Sequence, residues 1–599
     1  MNITLLEVSY EVANMVGGIY TVLASKMSYA LESVTDYIAI GPYYEKSARE
    51  RFRAERPPSS IQKIFDDLES VHGIRCHYGR WLTEKNPKTI LVDAGNMKGA
   101  LDDVKFRLWE EYGIDSWGAD DWFNEPVLWS KAVGILIEKM VSEKLFGGDV
   151  VAHFHEWLTG AGLLHLKSKK VGVPTVFTTH STVLGRAIAE GGWEDLYDFV
   201  NKGLTEKKTA TNEKAYEYGV QAKHLTEKAM AKNSDVFTTV SEIMARECEF
   251  VLGRKPDVIL SNGLDMNKFP DLENVLKMHA IYTEKVKDFL TAYFIPYYDV
   301  DFDDSLICFI SGRHEFRNKG IDLFIDSLGM LNQTLKKSRG NRNVIGLICV
   351  PEATSGRRPE VVEHLKLFEN VEKILENETE RVEKKFLRAI MRGEVPKSVS
   401  YSQETIKKLV ELGKRLRDMG GKTPPLTPFE INGEDSILVA LKKNGLMNKK
   451  SDRVKVVYYP VYLSENDGLL GMKYYNAMAG CDVGVFPSYY ESWGYTPLEA
   501  AALGLHSITT DLSGFGKFIK QFTENDEMSI KILHRDRRTY AETARELHDM
   551  FLRIYMGKES ELCKARKRAK ELSMLADWGR LFQNYVEAYK LCLKNGGRK

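Results

Sequence analysis

Two glutamates stand eight positions apart in the run Phe486-Pro-Ser-Tyr-Tyr-Glu491-Ser-Trp-Gly494-Tyr-Thr496-Pro-Leu-Glu499-Ala-Ala. The upstream residues Cys481 to Phe486 read as a short buried strand, with Val483, Val485 and Phe486 apolar. Thr496, Pro497 and Glu499 fit a capping box with proline at the first helical position. The helix then runs through the alanines to Gly504. The unit is strand, loop, helix, with Glu491 on the loop and Glu499 in the first helical turn. Ligands bind at such strand ends in open α/β sheets, and helix N-termini attract phosphate. Phosphate held beside a carboxylate points to sugar-nucleotide chemistry.

Other groups capable of chemistry follow other strand-like runs. In Ser311-Gly-Arg313-His-Glu-Phe-Arg-Asn-Lys319-Gly320, Arg313 offers a bidentate fork and Lys319 a point charge for a diphosphate. A basic loop alone would be merely solvated; its place after a strand, with a glycine at each side, favours the anion grip. Gly17 and Gly18 let backbone amides approach an anion, though a Gly-Gly pair also marks any tight turn. They do not make the G-x-G-x-x-G fingerprint, so no nicotinamide cofactor is expected. His153-Phe-His155-Glu156-Trp157 has histidine spacing but not the zincin order, and reads as a polar cleft wall rather than a metal site. Near the end of the next strand, His180 suits a sugar hydroxyl and Arg186 a phosphate or other anion, with a structural histidine as the alternative.

Strand-like runs alternating with helices position these groups. Ile3–Val8, Asp149–Phe154, Pro174–Thr179, Phe237–Val240 and Val258–Leu260 form one series. After a helical stretch near 271–295 the pattern restarts with Leu306–Ile310, Val344–Val350, Val454–Tyr459, Val483–Phe486 and Ser507–Thr510. Such alternation predicts parallel sheets covered by helices. The expected division is an α/β unit over 1–270, completed by a C-terminal helix over 576–599, and a second over 271–575 with a helical insertion at about 359–423. In the insertion, Leu365, Phe368, Val371, Leu375, Val382, Phe386 and Ile390 form one apolar seam, and Ile406, Leu409, Leu412, Leu416 and Met419 another. Such seams serve equally an association between chains or a hairpin packed on its own domain.

Composition narrows the class. The 599 residues are 43% hydrophobic and 28% charged, with zero formal net charge, which argues against a nucleic-acid coat or a polybasic membrane binder. Seven scattered cysteines make no C-x-x-C pair, so buried free thiols in a reducing compartment are expected, without a disulfide framework. No apolar run reaches membrane-span length, and the start lacks a signal peptide's basic and apolar regions. A cytoplasmic protein is expected.

Taken together, the segments resemble the eukaryotic-type glycogen synthases, glycosyltransferase family 3, over nearly the whole chain. The resemblance is carried by Glu11 through Val22, His153–Trp157, Thr178 through Arg186, Asn262-Gly-Leu264, Gly312 through Gly320, Phe486 through Glu499, and Leu512-Ser-Gly-Phe-Gly516. It implies the GT-B fold, two Rossmann-like domains facing a central cleft. It implies retaining transfer of glucose from a nucleotide sugar to the non-reducing end of an α-1,4-glucan, with no metal and no cofactor. It places Glu491 at the donor sugar, Glu499 at the ribose, and Arg313 and Lys319 at the diphosphate. The backbone of Gly494, Tyr495 and Thr496 would cap the phosphates, Tyr474 would stack on the base, and His180, Arg186 and Asn262 would line the cleft. The implied mechanism is a front-face displacement in which the leaving phosphate helps deprotonate the acceptor.

The insertion matches the segment that builds tetramers in relatives, and Asp577 to Leu593 matches their final helix, which crosses back to the first domain. Departures are Met15 where many relatives are basic, Ser492 in place of proline, and no N-terminal regulatory extension before the first strand. The relatives' arginine-rich regulatory helix is matched only by Lys564-Ala-Arg566-Lys567-Arg568-Ala-Lys570, so strong activation by glucose 6-phosphate is not expected. Uridine diphosphate glucose is the expected donor, and adenosine diphosphate glucose also suits stacking on Tyr474. The alternatives are another GT-B transferase of sucrose- or trehalose-synthase type and an inactive glucan-binding scaffold.

Overall fold

The computed structural model describes residues 1–340, 342–395, 400–523 and 528–596 of the chain. Residues 396–399 of the expected insertion and 597–599 of the expected final helix lie outside them.

The first sheet has nine strands: β1 (Ile3–Val8), β2 (Asp36–Pro42), β3 (Phe52–Ala54), β4 (Arg75–Trp81), β5 (Lys88–Asp93), β6 (Asp149–His155), β7 (Thr175–Thr179), β8 (Val236–Thr239) and β9 (Val258–Ile259). Their order is β3-β4-β5-β2-β1-β6-β7-β8-β9, parallel except for the β3–β4 and β4–β5 pairs. The second region begins with β10 (Leu306–Ser311) and β11 (Val344–Cys349), followed by a short antiparallel ribbon of β12 (Thr354–Arg357) and β13 (Phe429–Ile431). It continues with β14 (Val454–Tyr458), β15 (Val483–Val485), β16 (His506–Thr510) and β17 (Ile530–Leu533). Six of these form a parallel sheet in the order β14-β11-β10-β15-β16-β17. β1, β7, β10 and β11 are buried at every position, as expected of parallel strands covered on both faces.

In each sheet the strand order reverses beside a central strand, between β1 and β6 and between β10 and β15. A crevice opens at the carboxyl ends of such a pair. The β1 and β6 loops carry Gly17 and Glu156, and the β10 and β15 loops carry Lys319 and Glu491. The chain therefore delivers its candidate groups to the two switch points.

The helix Trp578–Gly596 packs against β6 to β9 and the helix Gly18–Ser33. Trp578 Nε1 donates to Ser25 Oγ at 2.8 Å, and Lys26 lies 4.2 Å from the Tyr585 ring centroid. The insertion is a hairpin of the helices Pro359–Met391 and Gln403–Asp418, whose base meets the helix Leu272–Phe294. Toward its tip Phe386, Leu387, Ile390 and Val410 are at least half exposed. All seven cysteines are free, five of them buried. Among the described residues no helix is long and apolar enough to cross a membrane.

Candidate active site

Gly320 fixes the Lys319 loop. Its φ is +69°, and an added Cβ would lie 2.1 Å from the Pro487 carbonyl oxygen, so only glycine fits. Lys319 Nζ consequently reaches across to the next loop and donates to Glu491 Oε2 at 2.5 Å, with both side chains less than one-fifth exposed. Arg313 turns elsewhere: it is mostly exposed and pairs with Glu315 at 2.7 Å. The structure thus unites one of the two expected diphosphate-binding cations with the expected catalytic carboxylate.

The capping box expected at Thr496 does not form. Gly494, at φ +107°, is the N-cap, and the helix Tyr495–Ala502 begins before Thr496. Pro497 occupies its first turn, where an amide hydrogen has no helical partner. No side chain caps this helix, so the amides at Tyr495 and Thr496 remain available to an anion. Glu499 lies two residues further in than expected and does not reach back to the cap. It accepts from Tyr475 Oη at 2.8 Å and Tyr474 Oη at 3.5 Å. Burial raises its carboxyl pKa, and the two phenols oppose the rise. Tyr474 also lies 3.0 Å from Ser311 Oγ at the end of β10, which joins the two loops of the second switch point.

On the facing side, the amides near Gly17 already hold a carboxylate. Glu11 Oε2 accepts from Gly17 N and Tyr20 N, each at 2.8 Å, so the expected anion is the chain's own glutamate. Burial pushes the Glu11 carboxyl up; the amides of Tyr20, Gly17 and Ile19, and the Arg313 charge across the cleft, oppose this. Gly18 begins the helix Gly18–Ser33 and faces open space.

His153 and His155 are not a cleft wall: they are 0% and 1% exposed. The alternation of β6 turns both beneath the sheet's end, towards a buried Glu7. Glu7 accepts from Lys26, from Tyr37 Oη at 2.5 Å and from His155 Nε2 at 2.9 Å. His155 Nδ1 then meets His180 Nε2 at 3.1 Å. A His155 that donates from Nε2 to a carboxylate presents Nδ1 as an acceptor, which makes His180 Nε2 the donor. His153 lies between Tyr589 Oη at 3.1 Å and Thr178 Oγ1 at 2.7 Å. Burial holds His153 and His180 well below the ordinary histidine pKa, so both are neutral.

His180 N donates to Glu156 Oε1 at 2.8 Å, and Glu156 sits at φ +67°, a strained conformation at a strand end. Burial pushes its carboxyl up to about 7. Arg186 lies on the helix Val183–Gly191, capped by Thr182, and donates to Ser181 Oγ at 3.4 Å. Asn262 is buried rather than lining an open surface, and its Oδ1 has no partner among the described residues.

Among the described residues, two clusters bring together three side chains able to ligate a metal: Glu7 with His153 and His155, and His314 with Glu352 and Asp435. In the first, the Lys26 ammonium already occupies the shared Glu7 oxygen. In the second, His314 is bonded to Glu352, and Asp435 caps a helix through Leu438 N at 2.8 Å.

The basic helix Glu559–Ser573 is partly structural. Arg566 is buried and donates to Asp482 at 2.6 Å, and Lys570 is buried 5.8 Å from the Phe269 ring. Lys564, Lys567 and Arg568 face outward, with Arg568 bonded to Glu571 at 3.1 Å.

Sequence reasoning did not identify Tyr475 as a partner of Glu499, nor Glu11 as the partner of the Gly17 amide. The Tyr489-Tyr490 pair directly before Glu491 was a visible signal, because two large aromatics on a loop need somewhere to pack.

A family model described as glycogen synthase matches residues 7–596. The liver glycogen [starch] synthase of Homo sapiens is 34% identical over 596 residues, covering 98% of this chain and 83% of the relative. Isoform 2 from Saccharomyces cerevisiae is 34% identical over 622 residues, covering 99% of this chain and 87% of the relative. Among solved structures, the catalytic domain of Starch Synthase IV from Arabidopsis thaliana, bound to ADP and acarbose, aligns with a TM-score of 0.50 at 12% identity, covering 100% of this chain and 99% of that one. The shared architecture is the GT-B fold.

Proposed function

The chain belongs to the glycogen synthase family of glycosyltransferases, and from that premise we propose that it transfers glucose, with retention, from uridine diphosphate glucose to the non-reducing end of an α-1,4-glucan. The observation that carries this reading is the Lys319–Glu491 pair at the switch point of the second sheet, 2.5 Å apart and beside an uncapped helix start. In this reading residues 1–270 with the helix from 576 form the acceptor side, and 271–575 the donor side.

Each part of the pocket has a task in the transfer. Lys319, Arg313 and the amides at Gly494, Tyr495 and Thr496 bind the diphosphate and stabilise the charge that develops as it leaves. Tyr474 stacks on the base, and Glu499, held by Tyr474 and Tyr475, accepts from the ribose. Glu491 faces the donor sugar. A second carboxylate flanking the same bond, as in a retaining glycosidase, is not needed; Glu499 is committed to its tyrosines. The departing phosphate takes the acceptor hydroxyl's proton on the same face. His180, Arg186 and Asn262 hold the sugars and acceptor, while Gly17 and Gly18 keep the first loop close to the diphosphate. Met15, more than half exposed on that loop, supplies no charge there.

The apolar tip of the insertion hairpin supports assembly into a tetramer. The free, mostly buried thiols suit the cytoplasm. The burial of Arg566 and Lys570 supports a weak response to glucose 6-phosphate. A donor panel with a malto-oligosaccharide acceptor tests the function: rapid elongation with uridine diphosphate glucose is expected, and failure with every nucleotide sugar overturns it.

A further inference from the structure

We infer that Tyr489 and Tyr490 form a plug that couples closure of the two halves of the molecule to placement of Glu491; the inference rests on the reading that Glu491 faces the donor sugar. Both tyrosines precede Glu491 on the β15 loop, yet both are 5% exposed and sit, with Leu512, in the hydrophobic core built around the first sheet.

The plug is polar as well as apolar. Tyr489 Oη accepts from Leu196 N at 3.0 Å and donates to Asp195 Oδ2 at 2.9 Å. Its ring meets Tyr197 edge to face at 5.5 Å and lies between the guanidiniums of Arg317 and Arg535, at 4.9 and 5.3 Å. Tyr490 Oη donates to Glu247 Oε1 at 3.0 Å. The same oxygen accepts from Thr182 Oγ1 at 2.6 Å, and Thr182 caps the helix that carries Arg186. One short chain of bonds therefore runs from the residue before Glu491 to the helix on the facing side.

The far side of Glu491 is bracketed too. Its carbonyl accepts from Gly514 N at 3.2 Å. A Cβ on Gly514 would lie 2.7 Å from Ser241 Cβ, on the facing half, and 2.3 Å from the Ser492 oxygen. The Glu491 carbonyl is held within its own half, whereas the hydroxyl bonds of the two tyrosines before it and the approach of Gly514 to Ser241 exist only when the halves are together. Arg313, Lys319, Tyr474 and Glu499 lie on the second half alone, so the plug separates binding of the nucleotide from the chemical step. Tyr489 and Tyr490 are positioning residues.

The test uses the full-length protein with Tyr490→Phe, Tyr489→Phe/Tyr490→Phe, Glu247→Gln and Glu247→Leu. Measured are kcat, the Kd of uridine diphosphate by calorimetry, the chemical denaturation midpoint and the radius of gyration by small-angle scattering. Tyr490→Phe is expected to lower kcat about 10-fold, the loss set by one buried hydrogen bond, with nucleotide Kd and midpoint unchanged. The double variant is expected to scatter as a more open particle with uridine diphosphate bound. Glu247→Gln, which keeps an acceptor for Tyr490, should stay within about 3-fold of wild type; Glu247→Leu should match Tyr490→Phe, with no further loss when combined. Unchanged kcat in Tyr490→Phe, or a kcat loss that tracks a weaker Kd or a lower midpoint, overturns the plug. A wild-type protein that transfers no glucose refutes the functional reading instead, while scattering still judges the plug.

Discussion

Glu7 and Lys26 form an ion pair in which both side chains are 0% exposed, and replacing Glu7 by Gln exposes what that pair does. Burial alone would raise the Glu7 carboxyl pKa, but the Lys26 ammonium and the His155 hydrogen bond hold it well below the ordinary range, so the charge is present. Glu7→Gln leaves the Lys26 ammonium buried without a counter-charge, a change that costs about 3–5 kcal/mol. Adding Lys26→Met removes the stranded charge, and replacing both members of a buried pair is often close to neutral. The double variant should therefore recover to within about 2 kcal/mol of wild type. Stability is read by urea denaturation of wild type, Glu7→Gln, Lys26→Met and the double variant at one pH. Turnover separates a second role. Gln retains an oxygen to accept from His155 Nε2, so the His155–His180 bond survives and the double variant should keep turnover within about 10-fold. His155→Leu, which breaks that bond, should lose far more. Single-variant losses that simply add in the double variant would refute the pair, and full activity in His155→Leu would refute the histidine relay.

Arg313→Ala and Lys319→Ala should each lower kcat about 100-fold, Lys319 from its place beside Glu491 and Arg313 once it leaves Glu315 for the diphosphate, because removing one donor to developing charge costs about 3 kcal/mol; near-normal turnover in either removes that residue from the site. Gly320→Ala should reduce kcat comparably, since the added Cβ would lie 2.1 Å from the Pro487 oxygen and displace the Lys319 loop; a crystal structure with Lys319 and Glu491 still paired would contradict this. Burial pushes Glu247 up from 4.5 to about 7. The folded state therefore holds that proton more tightly than the unfolded chain, and this group's contribution to stability falls as pH rises from about 4.5 to 7, by up to ~3 kcal/mol. The buried neutral histidines act with the opposite sign, since their contribution is lost as pH falls below about 6.5. Glu247→Gln should thus gain stability relative to wild type as pH rises through this window. A constant difference between the two proteins from pH 5 to 7.5 would contradict the shift.

The sequence made the loops that carry the candidate groups readable because parallel strands are continuous apolar runs. β1, β10 and β15 announce themselves, and the loops after them hold Gly17, Lys319 and Glu491. β4, with its mixed Arg-Cys-His-Tyr run, and β17, with lysine and a weaker pattern, do not stand out, and both lie towards a sheet edge. Thr496 looked like a cap because its side chain and Glu499 have the right spacing. Gly494, free to take a positive φ, started the helix earlier and released Glu499 to Tyr474 and Tyr475. The histidines of β6 suggested a cleft because polar residues usually face water. Their partner Glu7 lies on a strand over a hundred residues away in sequence, so local pattern gave no sign of a buried network. Tyr489 and Tyr490 pack in the core of the other half, a contact no reading of neighbouring residues contains.

The most direct test of the central claim is the stereochemistry of the new linkage. Wild-type protein is incubated with uridine diphosphate glucose and maltoheptaose, and the product's anomeric protons are followed by NMR before and after digestion from the non-reducing end. The account predicts one new α-1,4 linkage at the non-reducing end, formed by wild type and lost with Glu491→Gln. A β linkage, or release of free glucose without elongation, would contradict it.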